Sequence, residues 1–155
     1  MFLDGRKIRL YAHYNIKRWV KFHRNRSTVY HGGWDKRKCW FYVKRLPQYG
    51  ENCVALFNYY TKRYLRARND KKTIDQSASR GNWNDFPNSW AWERFFVEYA
   101  GGQDGNWGFY CFRTVWDTYL RTNKRNGKMD QSSVRPKGQG IHPRWELERF
   151  RVSFH

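Results

Sequence analysis

A period of 55 residues constrains this chain more than any other feature. Displaced by 55 positions against itself, without gaps, the chain matches in long blocks. Tyr64-Leu65-Arg66 falls on Tyr119-Leu120-Arg121, Asp75-Gln76-Ser77 on Asp130-Gln131-Ser132, and Glu93-Arg94-Phe95 on Glu148-Arg149-Phe150. Gly50 falls on Gly105, Arg80 on Arg135, Trp90 on Trp145 and Val97 on Val152. A weaker copy precedes them. Ile8-Arg9-Leu10-Tyr11 matches Val54-Ala55-Leu56-Phe57, Arg18-Trp19-Val20-Lys21 matches Arg63-Tyr64-Leu65-Arg66, and Cys39-Trp40 then falls on Arg94-Phe95. The units are residues 1–46, 47–101 and 102–155. Trp19 and Trp40 are 21 residues apart, against 31 for the corresponding pairs, so units two and three carry about ten extra residues in one loop. In unit two this loop is Ala78 to Ala91, rich in Gly, Asn, Pro and Trp.

Within each unit the apolar pattern has the period of a strand. Phe95, Val97 and Tyr99 alternate with other positions, as do Phe150, Val152 and Phe154, while Ile8 and Leu10 alternate with Lys7 and Arg9. A period of two places such residues on one face of a strand. Turn signals follow, among them Asn69-Asp70, Gly101-Gly102 and Asn126-Gly127. No unit of this size buries its own apolar face, and closure of three units about an axis both completes a core and removes exposed strand edges. The expected fold is all-β, a single β-trefoil domain over residues 1–155.

Certain residues carry a resemblance. Tyr64-Leu65-Arg66-Ala67, Ile74-Asp75-Gln76-Ser77 and Trp90-Ala91-Trp92-Glu93 recur as Tyr119-Leu120-Arg121-Thr122, Met129-Asp130-Gln131-Ser132 and Trp145-Glu146-Leu147-Glu148. This run resembles the fascin-like β-trefoils, in particular the actin-cross-linking-like domains with their uncharacterised plant branch. The resemblance implies a cytoplasmic filamentous-actin binder, with secretion open should a signal peptide have been removed. The Gln-x-Trp of ricin-type lectins is absent, and His142-Pro143 is followed by Arg144-Trp145, not by the glycines of a mussel-type lectin.

Charge separates the units. The whole chain carries 31 basic and 13 acidic residues. Unit one holds 13 basic and 2 acidic residues, a net of +11, against +2 and +5 for units two and three. Its basic residues, Lys7, Arg9, Lys17, Arg18, Lys21, Arg24, Arg26, Lys36, Arg37 and Lys38, interleave with Tyr11, Tyr14, Trp19, Phe22, Tyr30 and Trp34. A concentrated positive field attracts acidic polymers. The leading expectation is therefore a non-enzymatic binding module with a basic face for an acidic polymer, filamentous actin by resemblance. Nucleic acid, sulfated glycan, anionic lipid and a silicate surface share the same chemistry, and bundling of filaments would need a second site or a homodimer.

The alternative is a lectin with duplicated pockets in units two and three. Asp75, Gln76, Trp83 and Trp90 would form one pocket, and Asp130, Gln131 and Trp145 the other. The same Asp-Gln-Ser elements equally suit a turn, since Asp and Ser bond readily to nearby backbone. Arg66 and Arg121 are expected to pair with Glu93 and Glu148 of their own units. Cys39, Cys53 and Cys111 are odd in number and irregularly spaced, so free thiols are expected. No metal-ligand spacing and no paired acid/base motif stands out, so neither a cofactor nor an enzymatic activity is expected.

Overall fold

The computed structural model describes every residue except Met1, Thr28, Trp34, Lys36 and Gly105, and only the backbone of Ile16, Gln103 and Asp104. Lys36, Trp34 and the Gly50/Gly105 match therefore lie outside the described residues. Unit one supplies β1 (Lys7–Ala12), β2 (Asn15–Phe22), β3 (Val29–Gly32) and β4 (Phe41–Arg45). Unit two supplies β5 (Cys53–Asn58), β6 (Arg63–Ala67), β7 (Ile74–Gln76) and β8 (Phe95–Asp104). Unit three supplies β9 (Trp107–Thr114), β10 (Leu120–Thr122), β11 (Met129–Gln131) and β12 (Phe150–Phe154).

The first and last strands of each unit pair antiparallel in a closed ring, β1–β12–β9–β8–β5–β4 and back to β1. The middle strands form three hairpins, β2/β3, β6/β7 and β10/β11. A six-stranded barrel with three hairpins is the β-trefoil. Alternation works as expected: Ile8, Leu10 and Ala12 are buried on β1, and Lys7, Arg9 and Tyr11 between them are not. Phe41, Phe95, Phe112 and Phe150 join these residues in the barrel core, with Val20, Leu65 and Leu120 from the hairpins. β5 departs from alternation, because all six of its residues are buried. The long loop of unit two lays Trp83, Phe86 and Trp90 over its outer face, against Phe57 and Tyr64.

The strand pairings correct the register of unit one by one residue. Phe41 lies opposite Ile8, as Phe95 lies opposite Val54 and Phe150 opposite Tyr110. Phe41, not Trp40, is thus the counterpart of Phe95, and Cys39 stands where units two and three have Glu93 and Glu148. All three of these are buried. The error arose because two large aromatics sit side by side, and only the pairing shows which of them faces inward.

The hairpins are tied to one another by one repeated device. Gln76 N–H donates to Arg26 O at 2.9 Å, Gln131 N–H to Lys72 O at 3.0 Å and His31 N–H to Gly127 O at 2.7 Å. The side chains repeat the link. Gln76 Nε2 donates to His23 O at 2.7 Å, and Gln131 Nε2 to Thr73 O at 2.9 Å. His31 Nε2 lies 2.9 Å from Asn123 O. Each unit thus grips a turn of another, and His31 is the gripping residue of unit one. Arg18 Nε donates to the other ring nitrogen of His31 at 2.9 Å, which leaves Nε2 to carry the proton toward Asn123. Burial holds the His31 pKa below its ordinary value.

Candidate functional site

The hairpin device removes most of the expected lectin pockets. Gln76 and Gln131 spend their amide groups between units, and both are buried. Ser77 and Ser132 accept the Tyr64 and Tyr119 N–H groups at 2.9 Å each. Asp75 receives Arg66 Nε at 2.7 Å and Nη2 at 2.8 Å, with Arg68 Nη1 at 2.9 Å. Asp130 receives Arg121 Nε and Nη2, each at 2.7 Å. The arginines therefore pair bidentately with the aspartates across their hairpins. No ion pair within 4 Å joins Arg66 to Glu93 or Arg121 to Glu148, which overturns the expected pairing. Of the expected pocket residues, Trp90 borders a shallow cleft with Arg26, Arg66 and Trp92, whereas Trp145 packs against Tyr119 and stacks on His142.

Among the described residues Glu93 consequently has no ion pair within 4 Å. It is 5% exposed, and desolvation lifts its pKa from the ordinary 4.5 to about 7. A carboxyl whose folded-state pKa is raised contributes stability below its unfolded value, and loses it as pH rises through the folded value. Wild-type stability should thus fall between about pH 4.5 and pH 7 from this group. In Glu93→Gln the melting temperature should change less over pH 5 to 8, and melting curves across that range check it. A profile as steep as the parent's would place the responsible proton elsewhere.

The expected basic face also divides. Arg18 donates Nη2 to His31 O at 2.8 Å as well as Nε to the ring, so it is structural. Lys21 is 8% exposed, donates Nζ to Gly33 O at 2.7 Å and lies over the Tyr30 ring. Lys21 and Tyr30 are the counterparts of Arg66 and Asp75, so this contact replaces the ion pair of the other units. Lys17 is exposed on β2, and Arg26 faces the cleft of Trp90.

The remaining cations converge on aromatic rings. Trp40 precedes β4, and Tyr42 points outward from it between the inward Phe41 and Val43. Beside them the β5–β6 turn presents Tyr59, Tyr60 and Lys62. Together with Lys7 and Arg37 these residues line a groove of about 540 Å³. An adjoining space of about 300 Å³ extends it over Tyr42, Tyr59 and Lys62 to Asn82 and Trp83 of the long loop. Lys7 lies 4.1 Å and Arg9 3.5 Å from the Trp40 ring centre, and Lys62 3.9 Å from that of Tyr59. Arg24 donates to the Tyr60 hydroxyl at 2.9 Å, and Lys38 also faces that ring, although it pairs with Asp35 at 3.7 Å. Tyr59 remains 51% exposed.

The equivalent positions of the other units carry different residues. At the next, Arg94 and Phe96 replace Trp40 and Tyr42, and Thr114, Val115 and Asp117 replace Tyr59, Tyr60 and Lys62. At the third, Arg149 and Arg151 replace Trp40 and Tyr42, and His13, Tyr14 and Lys17 replace Tyr59, Tyr60 and Lys62, so the turn there is again aromatic and basic but the Trp40–Tyr42 wall is not repeated. The sequence reading missed Tyr42, Tyr59, Tyr60 and Lys62. The available signal was the turn Tyr59-Tyr60-Thr61-Lys62, which has no aromatic or basic match 55 residues later except Trp116.

Among the described residues no group of three or more His, Cys, Asp and Glu side chains could hold a metal ion. Cys39, Cys53 and Cys111 are buried free thiols, each raised in pKa by burial, which keeps them protonated and unreactive.

No protein-family model matches the chain. No curated protein matches it by sequence either. Solved structures do match. The chain is 15% identical to one described as the BEL beta-trefoil, with a TM-score of 0.71, covering 99% of this chain and 95% of that one. A GlcNAcα1-4Gal-releasing endo-β-galactosidase from Clostridium perfringens matches with a TM-score of 0.67 at 11% identity, over 97% of this chain. A mosquitocidal holotoxin matches with a TM-score of 0.70 at 12% identity, over 99% of this chain. The chain spans 32% of the galactosidase and 18% of the toxin, so in both it corresponds to one part of a larger protein. At these identities the likeness establishes the β-trefoil fold. Nothing in the comparisons points to filamentous actin, and no family model supports the fascin-like resemblance.

Proposed function

We propose that the protein is a non-catalytic carbohydrate-binding β-trefoil, and that it holds a glycan in the groove between Trp40 and Trp83. The observation that carries this reading is the concentration of Trp40, Tyr42, Tyr59, Tyr60 and Trp83 along one groove. Ligand sites are concave, largely apolar and fitted with a few polar groups that fix orientation. Tyr and Trp offer broad faces for the C–H surface of a sugar ring at little entropic cost, and keep a polar atom for its hydroxyls. Asn82 and the tyrosine hydroxyls supply those polar groups. The endo-galactosidase, which acts on a glycan, matches this fold over part of its length, and that lends the reading support. The alternative lectin reading is thereby kept and its site moved, away from the buried Asp-Gln-Ser elements. The actin reading depended on unit one as a whole, and Arg18 and Lys21 are occupied within the fold.

Binding to an array of neutral and acidic oligosaccharides, followed by Tyr59→Ala, tests the proposal. Tyr59 is half exposed, so its removal should leave the melting temperature within about 2 °C. Affinity for the recognised glycan should fall at least about tenfold. Binding that ignores Tyr59→Ala, or no glycan bound at all, would remove this reading.

A further inference from the structure

We infer that the glycan taken by this groove carries sulfate, and that Lys7, Arg37 and Lys62 receive it. The inference rests on the carbohydrate reading and adds the charge of the ligand. Among the described residues no carboxylate lines either part of the groove. None lies within 4 Å of the Lys7, Arg37 or Lys62 charge among the described residues, although the molecule forms such pairs elsewhere. The Lys7 and Lys62 amines rest instead on the faces of Trp40 and Tyr59. A cation over a ring keeps its charge and its donors for an incoming anion, and a sulfate offers only acceptors.

Lys62 adds a comparison between units. Its backbone is left-handed, with φ of 59°, which is costly for a lysine and easy for glycine, asparagine or aspartate. Its counterpart Asp117 adopts φ of 60°, so the turn itself demands this conformation. An aspartate suits the turn. Lys71, away from the groove, takes the same conformation at φ of 61°, so such turns accept a lysine; what Lys62 brings is an amine at the groove where unit three has a carboxylate. Arg26 borders a different cleft.

Calorimetric titration of the full chain at about 0.15 M salt, where exposed charges act over only ~8 Å, tests the inference. The probes are a heparin-derived tetrasaccharide, its fully desulfated counterpart, neutral chitotetraose and a twelve-residue oligothymidylate. The sulfated tetrasaccharide should bind at least about tenfold more tightly than the desulfated one. Lys62→Asn and Arg37→Gln should each weaken the sulfated ligand several-fold and leave any binding of the uncharged sugar within twofold. Lys62→Asn should at the same time melt at the same or a higher temperature, which separates loss of binding from loss of fold. Equal affinity for sulfated and desulfated sugars, lost with Tyr59→Ala, would overturn the sulfate assignment and leave the carbohydrate reading standing. A sulfate preference that survives both charge substitutions would overturn the assignment to these residues. No sugar binding together with Tyr59-dependent binding of the oligothymidylate would overturn both readings and make the groove a nucleic-acid site.

Discussion

Phe41→Ala should destabilise the protein by about 3–5 kcal/mol, the range for truncating a fully buried phenylalanine. Phe41 is 0% exposed, packs edge-on against Phe22 at 5.2 Å between ring centres, and belongs to the barrel core. In a domain of this size each kcal/mol moves the melting temperature by roughly 2–4 °C, so a fall of about 10 °C or more is expected. Trp40→Ala should cost about 1 kcal/mol, because its half-buried ring packs outside the barrel beneath Lys7 and Arg9. The pair of variants reads the register directly. If Trp40→Ala were the more damaging, unit one would be threaded one residue out of step, and the groove would lose its floor. Thermal melts of the two proteins decide it.

Asp75→Ala should cost about 3 kcal/mol, and Asp130→Ala about half as much. Both aspartates hold an arginine bidentately, but the surroundings differ. The side chains of Arg66 and Asp75 are 17% and 7% exposed, against 34% and 22% for Arg121 and Asp130. Removing one partner of a buried pair strands the other charge, and the penalty grows as water is excluded. Arg68 is 42% exposed and returns to water, so the loss rests on Arg66. Denaturant titration of both variants measures the ratio. Equal losses, or a greater loss for Asp130→Ala, would show that the pairs contribute by geometry alone. A sugar-pocket role for Asp75 predicts something else: full stability with lost binding.

Units two and three were legible because they kept their blocks intact. Tyr64-Leu65-Arg66 and its copy lie on matching hairpin strands, and the Asp-Gln-Ser elements on the strands opposite. The role of those elements was harder to read. A buried glutamine that staples two hairpins and a glutamine that binds a sugar have the same neighbours in sequence. They differ only in what stands 51 to 63 positions away, His23 and Asn25 for Gln76, and Arg68 and Thr73 for Gln131. Unit one hid its equivalent entirely, because His31 replaces the glutamine and Tyr30 the aspartate. A tyrosine over a lysine fills the place of an ion pair by different chemistry, and no residue-by-residue comparison scores it as a match.

The groove was illegible for a related reason. Lys7, Trp40, Tyr42, Tyr59 and Trp83 come from two units, and from strand, linker, turn and loop. Their juxtaposition is created when β4 closes on β1 and β5. By itself the sequence determined the period, the strand alternation, the threefold closure and the excess of positive charge in unit one. These are properties of neighbouring residues or of simple counts. Tertiary structure alone decided which cations remain available and which aromatics face outward. Both depend on what packs across the barrel, where each buried donor or charge takes the partner that excluded water obliges it to find.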